Sequence, residues 1–291
     1  MDAIRTFDVT DWGGPLSAGM RDDASNALES GKVLFFPHLS FALTDEEQAF
    51  LTPEVSNGKS KNVSLKPSGG MGGTSLAGQQ AGALKAMMQR FAAAARDLVC
   101  DLIPSYTQAL EAAQTSFRPV EIEGREASPI HDDTRLHVDA FPSRPMAGRR
   151  IMRVFSNINP HGKPRLWHVG EPFEAMAQRF LPQSREGSRL HAAILGLLGI
   201  TKGTRTAYDS LMLGLHDGAK LDETYQRTSP QIAFPFPAGA TWICYTDQVM
   251  HAALAGQFVL EQTFHLDVNA MVEPARAPLR VLESVRGHAL I

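Results

Sequence analysis

The chain of 291 residues carries a formal net charge of −3, with 43% hydrophobic and 20% charged residues, the balance of a soluble globular protein with room for one large domain or two small ones. No basic excess or recognition signature is present, so nucleic acid is not an expected partner. The two cysteines, Cys100 and Cys244, lie far apart outside any CxxC pair, which argues against a disulfide framework or thiolate zinc site and fits a reducing compartment.

The opening "MDAIRTFDVTDWGG" lacks the basic start and apolar run of a secretory signal. "GKVLFFPHL" (31–39) has the apolar density of a strand stopped by Pro37. "TDEEQAFL" predicts a helix start, with Thr44 as N-cap and acids in the first turn. Residues 57–78, rich in Gly, Ser and Lys, read as a loop, either lid or linker. From Gln79, the residues Leu84, Met88, Phe91, Ala95, Leu98 and Leu102 recur at steps of four and three, one apolar helix face, which Pro104 ends. "SYTQALEAAQ" is expected to resume the helix.

After Phe117 the pattern turns to strands, in "RPVEIEG", "RLHVDAF" and "RRIMRVFSNIN". Residues 171–228 read as a helical insertion, clearest in "EPFEAMAQRFL". Its stretch "LHAAILGLLGI" (190–200) is too short to span a bilayer. Strands return in "QIAFPFPAG", "ATWICY", "VMHAAL" and "FVLEQTFHLDV". The expectation is one α+β domain over 1–291: a mainly β sandwich or jelly-roll core, a helical region at about 1–115 packed on it, and the insertion.

In "RLHVDAF" (135–141), strand alternation puts Leu136, Val138 and Ala140 on one side and Arg135, His137, Asp139 and Phe141 on the other. Burying imidazole beside carboxylate is costly unless something binds them, and a divalent metal explains the pair. His131 and Asp133 have the same spacing but read as a loop. A third ligand is expected from a distant strand: His251, in "QVMHAALAG", with His265 as its rival. Two histidines and one carboxylate on one face form the triad of non-haem Fe(II) oxygenases, which leaves coordination positions open. A hydrogen-bonded His–Asp pair is the structural alternative.

"DDTRLHVDAFPSRP", "RVFSNINP", "GKSKNVSL" and "HAALAGQFVLEQTFHLD" resemble the Kdo hydroxylases, from about Lys32 to the last predicted strand. The resemblance implies a double-stranded β-helix (cupin-like jelly-roll) flanked by helices, with Fe(II) held by His137, Asp139 and His251, and with 2-oxoglutarate and O2 as co-substrates. It implies hydroxylation at C3 of the 3-deoxy-D-manno-oct-2-ulosonic acid (Kdo) sugar on a lipid A precursor of lipopolysaccharide. The work would take place in the cytoplasm, with peripheral contact at the inner membrane through segment 190–200; self-association is left open.

"FVLEQTFHLD" has no cation for the far carboxylate of 2-oxoglutarate, so Arg153 is the expected partner, with a structural pairing to Glu261 as the alternative; Asn157 and Gln262 are lesser contacts. Arg135, Lys61 and Arg150 are expected to meet the anionic substrate, and Trp167 or Trp242 to stack on sugar or fill core. The competing functions are a dioxygenase on another polar or lipid-linked substrate and a non-catalytic cupin-like binding protein.

Overall fold

The computed structural model describes residues 2–187 and 201–291. The expected membrane contact at 190–200, with His191, lies outside them. Among the described residues, no helix is long and apolar enough to cross a membrane.

Among the described residues, eleven strands build two sheets. In chain order they are β1 (Ile4–Thr6), β2 (Val33–Phe36), β3 (Val63–Leu65), β4 (Met71–Gly72), β5 (Glu111–Arg118), β6 (Arg150–Asn157), β7 (Arg165–Gly170), β8 (Gln231–Phe236), β9 (Thr241–Tyr245), β10 (His251–Ala255) and β11 (Val259–Leu266). The large sheet runs β1-β2-β9-β6-β11-β5-β3-β4, and the small one β10-β7-β8. Only the β1–β2 pair is parallel among the strand pairings described.

Alternation sorts the large sheet's side chains into two layers. Met152 and Val154 of β6, Ile243 and Tyr245 of β9, and Leu260 and Phe264 of β11 face the helices α1 (Ala18–Glu29) and α3 (Gly78–Leu102). Phe155, Trp242, Cys244 and Val259 face the small sheet and pack on Trp167, Val169, Phe236 and Ala253. The stripe read from Leu84 to Leu102 is the buried face of α3, and the helix stops at Leu102, two residues before Pro104. Thr44 caps the short α2 (Asp45–Gln48) in a capping box with Glu47.

Among the described residues, the remaining helices are α4 (Phe173–Phe180), α5 (Ala207–Leu221), α6 (Glu223–Thr228) and α7 (Pro278–Arg286). Thr206 caps α5 in a second capping box with Asp209, whose other oxygen accepts the Met146 and Ala147 N–H groups. This ties α5 to the loop that follows the HxD segment.

Three local expectations need correction. Residues 111–118 form a strand, not a resumed helix: their Ala and Gln residues favour helix alone, but pairing between β11 and β3 overrides that weak preference. The 57–78 loop contains β3 and β4, so the N-terminal third supplies both edges of the large sheet as well as helices. "RLHVDAF" is not a ladder strand. It is an extended segment with one antiparallel bridge, His137 to His251. Its other edge is satisfied by a side chain: Gln226 of α6 accepts the Leu136 N–H and donates to the Leu136 carbonyl.

Candidate metal centre

His137, Asp139 and His251 come together although 112 residues separate the last two in sequence. Each offers a ligand atom, and these atoms lie within 4.8 Å of one another. The backbones of His137 and His251 exchange two hydrogen bonds, at 3.0 and 2.9 Å, and the Asp139 N–H donates to Thr246 O at 2.7 Å. Extended backbone then aims side chains 137 and 139 the same way without a continuous ladder.

The imidazoles are oriented for metal binding. His137 Nδ1 lies 2.7 Å from Arg135 O, and His251 Nδ1 lies 2.8 Å from Val249 O. A carbonyl can only accept, so each Nδ1 carries the proton and each Nε2 presents a lone pair. Burial holds the His137 imidazole well below its ordinary pKa, helped by the neighbouring His251, and burial also lowers His251. Burial alone would raise Asp139, but the Arg153 guanidinium outweighs it and holds the carboxyl well below the usual range. The trio is thus two neutral imidazoles and one carboxylate at neutral pH. Asp139 Oδ1 lies 3.8 Å from His137 Nε2, beyond hydrogen-bond reach, and Oδ2 is in ion-pair contact with the Arg153 guanidinium at 2.7 Å. These donors fit a borderline divalent ion better than a hydrogen-bonded His–Asp pair. His265, the rival third ligand, lines the same cavity from β11 but is not in the trio.

The trio sits in an open cavity of about 560 Å3, between the two sheets and under α5, ample for a small organic ligand. Six cations (Lys61, Arg118, Arg144, Arg153, Arg165 and Lys220) and three carboxylates (Asp133, Asp139 and Glu261) line it. That excess of positive charge suits anionic ligands.

The structure redistributes the polar residues singled out above. Arg153 lines the cavity but is held by Asp139 at 2.7 Å and Glu261 at 2.9 Å, so the structural alternative is realised. Lys61 is on the wall, 3.1 Å from Asp133. Arg150 does not reach the cavity: alternation turns it behind the trio, fully buried on Asp247. Arg135 points away as well, bonded to Lys220 O and Glu223. Asn157 donates to Lys163 O and Phe236 O at the far end of β6, and Gln262 faces the helical layer, where it accepts from Thr115. Trp242 is core, while Trp167 stacks on the His251 ring, with centroids 5.3 Å apart and planes at 27°.

From sequence His216 reads as a residue that lines a pocket, and it does; the wall cations Arg118, Arg144, Arg165 and Lys220 were not picked out as site residues. Two signals were available. Arg165 alternates with Trp167 and Val169 in "RLWHVG", a cation on an inward strand face, and His216 and Lys220 stand one helical turn apart in α5.

A family model described as 3-deoxy-D-manno-oct-2-ulosonic acid (Kdo) hydroxylase matches residues 11–289. Among solved structures, the chain is similar to the Kdo hydroxylase KdoO, a non-haem Fe(II) α-ketoglutarate-dependent dioxygenase. In complex with α-ketoglutarate and Fe(III), KdoO is 48% identical, with a TM-score of 0.95 over 99% of this chain and 97% of that one. The cobalt(II) complex is 49% identical, with a TM-score of 0.96 over the same shares. The complex with succinate and Fe(III) is 49% identical, with a TM-score of 0.95, again over 99% and 97%. No curated protein matches the chain.

Proposed function

This chain belongs to the Kdo hydroxylase family, and from that premise we propose how its cavity works. The protein is an Fe(II)- and 2-oxoglutarate-dependent dioxygenase that hydroxylates Kdo. His137, Asp139 and His251 are the residues that would hold the iron. The observation that carries this reading is the trio itself: both Nε2 lone pairs are set by backbone acceptors, and the Asp139 carboxylate, held ionised by Arg153, offers an oxygen within 4.8 Å of them. Bound there, the iron couples decarboxylation of 2-oxoglutarate to insertion of one oxygen atom of O2 into a C–H bond. The chain's own residues bind, orient and exclude water. We read the two sheets as the sides of a jelly-roll whose mouth is capped by α5 and α6. The site of hydroxylation is C3, and the acceptor is a Kdo-bearing lipid A precursor met at the cytoplasmic face of the inner membrane.

The far carboxylate of 2-oxoglutarate is assigned to Arg165. Arg153 and Arg118 are both paired with Glu261. Arg165 is 3% exposed and donates to the Gly256 carbonyl, with no carboxylate in ion-pair contact among the described residues. Burial, and then the charge of Arg118, pushes its pKa down to about 9, the state of a cation lacking an anion. Gly256 permits this close approach: at φ +108°, a Cβ there would stand 2.9 Å from Pro164 O. Hydrogen bonds to charged groups are worth about 1.5–3 kcal/mol. Arg165→Met is therefore expected to weaken 2-oxoglutarate about 10- to 100-fold, read anaerobically from the absorbance of the Fe(II)–2-oxoglutarate complex. Unchanged affinity would move the assignment to another wall residue.

The whole reading is tested by incubating the protein with Fe(II), 2-oxoglutarate, O2 and a Kdo-bearing lipid A precursor. The expected product is heavier by one oxygen atom, located at C3 by NMR, with one succinate formed per hydroxylation. Succinate without oxygenated sugar would point to a different acceptor.

A further inference from the structure

α5 presents two polar side chains to the cavity, His216 and Lys220, one turn apart, while Arg153 and Arg165 line it from the sheets. Lys220 is 2% exposed, and its ammonium donates to Ile130 O at 3.0 Å on the cavity rim. No carboxylate is in ion-pair contact with it among the described residues, since neighbouring Asp133 is taken by Lys61. An ammonium has three donors, and a buried one is costly unless an anion meets it. Burial accordingly lowers its pKa. His216 stands edge-on to His137, with centroids 5.5 Å apart, and its Nδ1 donates to Asp217, leaving Nε2 as an acceptor. The pair is held in place by the segment that carries the metal ligands, because Arg135 donates to Lys220 O and Gln226 brackets Leu136.

We propose that Lys220 anchors the C1 carboxylate of the sugar acid on the α5 side of the metal ligands, while the His216 Nε2 beside it can only accept, from a sugar hydroxyl, and that this anchor sets which C–H bond is presented for oxidation. The inference rests on the Kdo reading above. Its chemistry is short-range: C1 and C3 of Kdo are separated by one carbon, so a fixed carboxylate fixes the C3 methylene within two bonds. The two anions of the reaction then have separate seats, 2-oxoglutarate on the small-sheet wall at Arg165 and the sugar acid under α5.

The test compares two substrates on the Fe(II)-loaded enzyme: a Kdo-bearing lipid A precursor and the same compound with C1 as its methyl ester. The wild type is expected to favour the acid about 10- to 100-fold in kcat/KM, the scale of one charge-assisted hydrogen-bonded contact. In Lys220→Met that preference is expected to fall below about threefold, while the 2-oxoglutarate affinity stays unchanged and succinate formed per hydroxylated sugar rises above one. Lys220→Arg, which keeps the charge, is expected to retain most of the preference. A wild type that does not distinguish acid from ester overturns the anchor without any variant, and so does a folded Lys220→Met protein that keeps the full preference. Failure of the wild type to oxygenate the acid at all would instead sink the Kdo reading.

Discussion

His137→Ala or His251→Ala is expected to abolish the Fe(II)–2-oxoglutarate absorbance and to lower succinate formation by at least about 10³-fold. The trio supplies three protein donors, and with 2-oxoglutarate and O2 bound no protein group among the described residues stands ready as a fourth. Each imidazole is pre-set by a backbone carbonyl acceptor, so the energy of orienting it is already included in the fold. The bridge between residues 137 and 251 is made by backbone atoms, which alanine retains, so the variants should fold. Asp139→Ala is expected to lose metal as completely. It also leaves the Arg153 guanidinium with Glu261 as its remaining carboxylate partner, so its melting temperature should fall further than that of the histidine variants. His265→Ala is the control, since it removes an imidazole from the same cavity but outside the trio. Cobalt(II) titration followed by visible absorbance separates these outcomes from a loss of turnover alone. Tight metal binding by His137→Ala would exclude the trio as the iron site.

How far these residues were legible in sequence depended on whether their partners were local. The α3 stripe and the Thr44 cap involve neighbours within a turn or two, and the periodicity carried them. The HxD pair was located through a strand that does not exist. The inference survived because alternation belongs to any extended backbone, and residues 136–139 are held extended by His251 on one side and Gln226 on the other. β5 was misread because Ala and Gln carry a helical preference, while the strand is imposed by β11, some 150 residues later. Polar wall residues were hardest. Alternation gives the side of a sheet but not the partner: it puts Arg150 on the face behind the site and Arg153 on the cavity face, but it does not show that Arg153 braces the metal-facing carboxylate. Arg165 and Lys220 stand out because neither has a carboxylate in ion-pair contact among the described residues, a property that no run of neighbouring residues displays.

Asp247→Ala is expected to cost about 3–5 kcal/mol of stability, the effect of stranding a buried charge, against typical totals of about 5–15 kcal/mol for a folded domain. Arg150 is fully buried; its Nε lies 2.7 Å from Asp247 Oδ2, its Nη2 donates to Gln248 at 2.7 Å, and its guanidinium sits 3.7 Å from the centre of the Tyr245 ring. Removing the carboxylate leaves that cation with an amide oxygen and a ring face, in a place water does not reach. At about 2 °C per kcal/mol for a protein of this size, the melting temperature should fall by about 6–10 °C. Arg150→Met/Asp247→Leu, which removes both charges and keeps apolar volume, should recover most of the loss. The pair also bears on the chemistry, because the Asp139 N–H donates to the carbonyl of Thr246, next to Asp247, and the Thr246 N–H donates to Ile151 O, next to Arg150. Loosening that corner lets the metal-facing carboxylate drift, so Asp247→Ala should also weaken cobalt(II) at temperatures where the protein is still folded, while the double variant should bind it nearly as the wild type does. Equal melting temperatures for Asp247→Ala and the wild type would show that the buried cation finds another partner and that this corner does not brace the site.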